Sequence, residues 1–138
     1  GMPYETRELV FDTIKFAREI GTFDSIAPNI FTPYHGTPLR DMALKEGWLD
    51  PNRQTNSFIG DSILEMPPPY LQPKEILALQ RVLNLYVGLP ESRWSEIRKA
   101  EESLDTEEGK SLLESLSKEF YKMKYGTDET ERMLTYAG

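Results

Sequence analysis

One strand-like segment stands among four or five segments of helical pattern. Residues 25–32 read Ser-Ile-Ala-Pro-Asn-Ile-Phe-Thr, and their apolar residues are typical of a strand. Pro28 cannot donate to a ladder and favours an edge, an end or a bulge. A lone strand leaves backbone amides and carbonyls without partners. The sequence therefore predicts a mainly α-helical chain with one or two strands, resembling a piece of a larger α/β protein.

Capping residues and apolar periodicity place the helices. The predicted starts are Thr6, Thr37-Pro38, Pro73, Glu91 and Asp105, the last with Glu108 at capping-box spacing, and the predicted stops include Gly21, Gly47 and Gly88. In the first helix, predicted over about 6–20, apolar residues recur at helical spacing, among them Leu9, Val10, Ile14 and Ile20. The region 48–72 breaks the pattern, because consecutive prolines at 67–69 cannot continue a helix.

Composition excludes several kinds of site. The 138 residues include no cysteine, which excludes disulfides, thiolate zinc sites and cysteine-ligated iron–sulfur clusters within this sequence. A net charge of -7 argues against a nucleic-acid partner. No apolar run reaches the roughly 18–20 residues that a membrane span needs. The sequence begins without the pattern of a signal peptide, so the cytoplasm is the expected compartment.

No conventional catalytic set is apparent, and no catalytic or metal-binding residue is predicted. Glu101 and Glu102 lie in a charged stretch and are predicted to be solvated. His35 is interpreted either as a loop histidine bonded to backbone, which we favour, or as the base of a small hydrolase. The run 66–70, Met-Pro-Pro-Pro-Tyr, is either a ligand for a proline-recognising domain or an extended segment packed on its own domain, which we favour.

Two segments place glycine, proline and aromatic residues at turn positions. Residues 1–6 (Gly-Met-Pro-Tyr-Glu-Thr) lead into the first helix, and residues 30–39 (Ile-Phe-Thr-Pro-Tyr-His-Gly-Thr-Pro-Leu) link the candidate strand to the second. One amphipathic helix separates them, which is the layout of consecutive β/α units. Both turns would leave the carboxyl ends of strands, where parallel α/β sheets bind ligands.

These segments resemble the last two β/α units of radical S-adenosylmethionine (SAM) enzymes, most closely the subgroup with an N-terminal cobalamin-binding domain. The resemblance covers residues 1–47, which would be terminal β/α units of a partial (β/α) barrel. Less specifically, it implies an irregular proline-rich covering segment over 48–72, a helical C-terminal extension over 73–126 and a flexible tail over 127–138.

The resemblance implies an enzyme whose four-iron cluster, held by a three-cysteine loop, cleaves S-adenosylmethionine to a 5′-deoxyadenosyl radical. Because this sequence lacks cysteine, it would be the C-terminal portion, inactive alone, that closes one side of the barrel and covers the active site. The implied cofactors of the parent are S-adenosylmethionine, a 4Fe-4S cluster and cobalamin. The expected partner is the rest of the parent enzyme, and we also expect a homo-oligomer formed through the unpaired strand.

The resemblance further implies a set of residues beside the S-adenosylmethionine. They are Gly1, Glu5, Asn29, Phe31, Pro33, Tyr34 and Gly36. Gly1 and Glu5 match the end of a family pattern after the fifth strand, in which the glutamate fixes the local backbone. The other five match the end of the sixth strand, near the adenosine. For Asn29 and Tyr34, loop packing is an equal alternative.

A different class of function also fits the sequence. The chain would be a free-standing helical interaction module without catalytic activity, binding its partner through the proline-rich segment or an exposed apolar helix face. A three-cysteine motif in the reading frame upstream of residue 1 would favour the enzyme fragment over this module.

Overall fold

The computed structural model describes residues 1–23, 26–53 and 61–126, which are mainly α-helical as predicted. The helices are α1 (Arg7–Ile20), α2 (Pro38–Lys45), α3 (Pro73–Gly88), α4 (Trp94–Glu102) and α5 (Glu107–Tyr125), with a short 3-10 helix, Glu91–Arg93, before α4. Within the described ranges no helix is long and apolar enough to cross a membrane. The predicted tail, 127–138, lies outside the described residues.

Threonine side chains begin three of the helices. The hydroxyls of Thr6, Thr37 and Thr106 accept hydrogen bonds from the amides three residues on, at 3.4, 3.4 and 3.0 Å respectively. The starts predicted at Thr6 and Thr37 are therefore confirmed. The N-cap predicted at Asp105 is wrong by one residue, because the Thr106 hydroxyl is the group that reaches the Gly109 amide.

The strand predicted over 25–32 is wrong for its described part. Residues 26–32 join no ladder, and the strand-type pairing that the described residues show is an isolated antiparallel bridge between Thr6 and Tyr70. The Pro28 carbonyl instead accepts a hydrogen bond from the Gln80 side chain at 3.2 Å. A strand needs a neighbouring strand to pair with, and the described ranges supply none. The described ranges also show no partial barrel. They contain no strand through which two chains could pair, so the expected homo-oligomer has no support in them.

The chain divides into two compact units, Gly1–Gln80 and Arg81–Gly138. In the first unit, α1 buries Val10 and Ile14. A second buried cluster there consists of Ala43, Trp48, Leu49, Leu64 and Met66, with Phe31, Leu44, Ile63 and Tyr70 packed against it. In the second unit, the largest buried side chains include Tyr86, Ile97, Leu116 and Phe120.

Glu101 lies in the interior of the second unit. Its carboxylate accepts a hydrogen bond from the Tyr86 hydroxyl at 2.9 Å and pairs with Arg98 at 3.3 Å. Glu102 is exposed and pairs with Arg98 at 2.5 Å. The prediction of a solvated position is therefore wrong for Glu101 and correct for Glu102. The inward face of α4 carries Ile97, Ala100 and Glu101. The carboxylate is buried with the Tyr86 hydroxyl, and Arg98 reaches it from the surface.

Candidate functional site

Residues 1–6 form a tight turn that leads into α1. The Glu5 amide donates to the Met2 carbonyl at 3.1 Å, which closes a β-turn. The Glu5 carboxylate then accepts from the Met2 amide at 3.1 Å and from the Gly1 nitrogen. The glutamate side chain thus ties together the backbone of its own turn, and Thr6 follows directly as the N-cap of α1.

Tyr4 occupies the strained position of this turn. Its φ of +64° lies in the left-handed region, which costs a non-glycine residue about 1–2 kcal/mol. Its ring meets Trp48 edge-on, with centroids 4.8 Å apart, and Tyr70 in the same way at 5.4 Å. Such contacts contribute about 0.5–1.5 kcal/mol each beyond area burial, enough to offset the strain. We call Tyr4, Trp48 and Tyr70 the aromatic cluster.

The segment 30–39 forms the second predicted turn and is held by hydrogen bonds at several points. The Thr37 hydroxyl donates to the Tyr34 carbonyl at 2.7 Å before α2 begins. Gly36 has a φ of +77°, a conformation that glycine adopts without steric cost. The buried guanidinium of Arg40 donates to the Pro33 carbonyl at 2.9 Å. Sequence reasoning did not single out Arg40, because an arginine on a short helix gives no local sign of burial.

The two motif segments reach the same apolar core. Tyr4 contacts Trp48 from the first turn. Phe31, from the second segment, packs against the buried cluster that contains Trp48 and Met66. The Leu71 amide adds a backbone link to the Glu5 carbonyl at 3.0 Å. Residues far apart in sequence are thus brought together around Trp48.

Four of the seven predicted site residues are engaged within the protein. Glu5 binds its own turn, Phe31 packs on the core and Pro33 is fully buried. Gly1 lies against Ile76, so that a Cβ there would come within 2.8 Å of the Ile76 Cδ1. These four act in support of the fold.

The other three predicted residues, Asn29, Tyr34 and Gly36, are exposed. Of these, Asn29 and Tyr34 offer side chains that could contact an adenosine. The donor set does not fit an iron–sulfur cluster, because the sequence has no cysteine. Nor do the described ranges contain a group of three or more metal-ligating side chains placed to hold an ion.

The two ends of the proline-rich run 66–70, Met66 and Tyr70, pack on their own unit. The Tyr70 ring lies against Tyr4 and, with centroids 5.6 Å apart, against Trp48. Tyr70 also forms the backbone bridge to Thr6. Pro67, Pro68 and Pro69, between these two ends, are exposed, and a proline-recognising domain needs an accessible ligand, so both interpretations of this run stay open. His35, the other candidate motif, is exposed in its turn.

The Tyr4 phenol has a predictable pH dependence. Loss of hydration, followed by the charge and hydrogen-bond acceptance of the Glu46 carboxylate, raises the pKa of Tyr4 above its ordinary value of 10.0. The folded state thus favours the protonated phenol. The resulting stabilisation is complete below about pH 10 and is lost as pH rises through the raised pKa.

We therefore expect the free energy of unfolding of the wild type to fall relative to that of Tyr4→Phe as pH rises above about 10. Urea unfolding of both proteins between about pH 8 and 11 measures this difference in the free energy of unfolding. Groups that titrate in both proteins contribute equally to the two values and cancel in the difference. A difference that stays constant over this range would contradict the prediction.

Comparisons with protein-family models, with curated proteins and with solved structures each found no match to this chain. A function can therefore be inferred only from the two turn segments, their contacts around Trp48 and the resemblance of their sequences.

Proposed function

We propose that this chain is the C-terminal portion of a radical S-adenosylmethionine enzyme of the cobalamin-binding subgroup. In the complete enzyme it would close one side of the partial (β/α) barrel and cover the active site. The chain would be inactive alone, since the cysteines that bind the cluster would lie elsewhere in the parent enzyme.

The observation that carries the proposal is the pairing of the two motif segments. Each is a hydrogen-bonded turn that runs into a threonine-capped helix, and α1 is the one helix between them. Both meet the core around Trp48. Two such turns, one helix apart and on a common core, are the arrangement that consecutive β/α units require. Residues 26–32 form no strand here, and in the proposal they would pair only with strands of the complete barrel.

This chain's own residues have limited roles in the proposal. The Glu5 carboxylate holds the first turn in shape through the Met2 amide. Arg40 holds the second turn through the Pro33 carbonyl. Asn29 and Tyr34 are the exposed side chains that would touch the adenosine of S-adenosylmethionine. The cluster and cobalamin would be bound by other parts of the parent.

The test is expression, without oxygen, of the whole reading frame that contains residues 1–138. We expect a three-cysteine motif upstream, about four iron atoms per chain, and release of 5′-deoxyadenosine from S-adenosylmethionine on reduction. Asn29→Ala and Tyr34→Ala should raise the KM for S-adenosylmethionine several-fold with the iron content unchanged. Asn52→Ala, at an exposed asparagine in another loop, is the matched control and should leave the KM unchanged.

Two results would overturn the proposal: a reading frame without the upstream cysteines, or a complete protein that binds no iron and releases no 5′-deoxyadenosine. The first would favour the interaction module instead. In that case the module would bind through the exposed apolar residues of α1 or through the exposed prolines at 67–69.

A further inference from the structure

Helix α1 carries apolar residues on two separate faces. Val10 and Ile14 face the interior and are buried. Leu9, Phe16 and Ile20 lie on another face, with 51, 62 and 42% of their surface exposed. Their spacings of seven and eleven residues align them along the helix axis. We call these three residues the outer stripe.

The outer stripe continues beyond the helix into the first turn. Met2 is 48% exposed, and it lines, together with Leu9 and Phe16, a shallow depression of about 540 Å³. Soluble proteins rarely leave contiguous apolar surfaces of this kind uncovered. A helix that is apolar on two faces normally lies between two layers of a protein.

Acidic residues border the outer stripe on one side. Asp12 and Glu19 follow Leu9 and Phe16 by three residues each, and both are exposed. Asp12 also lines the depression, together with Leu9 and Phe16. A partner that covers the stripe would therefore meet carboxylates along this edge, which favours lysine or arginine at the facing positions.

The same carboxylates argue against a second copy of this chain as the partner. Two α1 helices paired antiparallel about a two-fold axis would bring their acidic borders face to face. Like charges placed together in this way cost several kcal/mol. In a parallel pair each acidic border would instead face Thr13 and Ala17, which offer no opposite charge. Charge complementarity therefore favours a different, basic partner.

We propose that the outer stripe binds an amphipathic helix whose apolar face is bordered by lysine or arginine, supplied by the rest of the parent enzyme. This inference rests on the proposed function for the source of the helix. Phe16, the most exposed member of the stripe, would be the central anchor in the groove of the partner helix. Asp12 and Glu19 would set its orientation.

The test uses the 138-residue chain and two fluorescein-labelled probe peptides, an amphipathic leucine/lysine helix and its leucine/glutamate counterpart. Fluorescence anisotropy should show saturable binding of the lysine peptide and at least about tenfold weaker binding of the glutamate peptide. Phe16→Ser should weaken binding of the lysine peptide by at least about tenfold. Asp12→Lys should weaken it several-fold and reduce its salt dependence.

Two control variants distinguish binding at the outer stripe from the general effects of removing an apolar side chain or changing the net charge. Met123→Ser changes an apolar side chain of similar exposure, 55%, on α5. Asp61→Lys makes the same charge change at an exposed site outside α1. Both should leave the affinity unchanged. Equal binding of the two peptides, equal effects of Phe16→Ser and Met123→Ser, or dimerisation of the chain through α1 in sedimentation experiments would each overturn the inference.

The source of the helix is tested in the complete protein. A photo-crosslinking phenylalanine analogue at position 16 should couple to a basic amphipathic segment of the same polypeptide, identified by mass spectrometry. Coupling to a different protein would overturn the assignment to the parent enzyme. Because iron binding and 5′-deoxyadenosine release are measured separately, this inference can fail while the proposed function stands.

Discussion

Gly109→Ala should destabilise the second unit by about 3 kcal/mol, the upper end of the usual cost of overpacking. Gly109 is buried in the first turn of α5. A Cβ at this position would lie 1.9 Å from the carbonyl oxygen of Ser103 and 2.4 Å from its carbonyl carbon. The obstacle is backbone, so rotation of a side chain cannot relieve it.

Hydrogen bonds prevent the Ser103 carbonyl from yielding. It accepts from both the amide and the hydroxyl of Thr106, each at 2.9 Å. The same hydroxyl accepts from the Gly109 amide at 3.0 Å to cap α5. An alanine at 109 would therefore push against the cap of its own helix, and relief of the clash would break it.

The sign of the effect makes the Gly109→Ala test decisive. Helix propensity alone favours alanine over glycine by about 1 kcal/mol, whereas the close contact predicts a loss. Chemical unfolding monitored by circular dichroism measures the difference. Ser111→Ala, at an exposed position of α5, is the control and should change stability by only a few tenths of a kcal/mol. A Gly109→Ala protein as stable as the wild type, or more stable, would contradict the contact.

Helix positions could be predicted from the sequence because capping is local. Thr6 and Thr37 bond to amides only three residues away, and the glycine at 21 ends α1 in the left-handed conformation. At α5, Asp105 and Thr106 are both good N-cap residues, and the sequence pattern favoured Asp105, whereas Thr106 is the N-cap. The contact of Ser103 with Thr106, which decides between them, depends on the conformation of the preceding turn.

Features set by distant residues could not be predicted in the same way. A strand depends on its neighbours, so the apolar run at 25–32 was an insufficient signal. The burial of Glu101 depends on Tyr86, fifteen residues earlier. A signal for it did exist, because Glu101 follows the buried Ile97 by four residues on one face of α4. This four-residue spacing predicts a buried Glu101, whereas the local charge predicts an exposed one.

In the candidate site, too, the local features could be predicted from the sequence and the contacts between distant residues could not. The turns at 1–6 and 30–39 follow from their glycine and proline residues, but their meeting around Trp48 does not. Periodicity likewise identified the apolar residues of α1 without separating Leu9 and Ile20 from Val10 and Ile14. Only the packed structure shows which face of the helix meets the core and which remains open.

Trp48→Ala should cost the first unit about 3–5 kcal/mol, the usual range for removing a large buried aromatic side chain. Trp48 is largely buried and contacts both Tyr4 and Tyr70. Its backbone bonds, from its amide to the Ala43 carbonyl at 2.9 Å and from the Glu65 amide to its own carbonyl at 2.8 Å, do not require the indole. The loss therefore measures the packing of the aromatic cluster.

The effect of Trp48→Ala should be local as well as large. Without the indole, Tyr4 loses one of the two ring contacts that offset its left-handed φ, so the turn at 1–6 should open more often. Hydrogen exchange of the Glu5 and Leu71 amides, which bond to the Met2 and Glu5 carbonyls, should accelerate more than that of amides in α5. Trp94→Ala is the matched control, because it removes the chain's other tryptophan from the second unit and leaves Trp48 as the fluorescence probe of the first. If Trp48→Ala cost less than about 1 kcal/mol, or accelerated exchange in α5 as much as at Glu5, the aromatic cluster would not be what holds the turn at 1–6 in place.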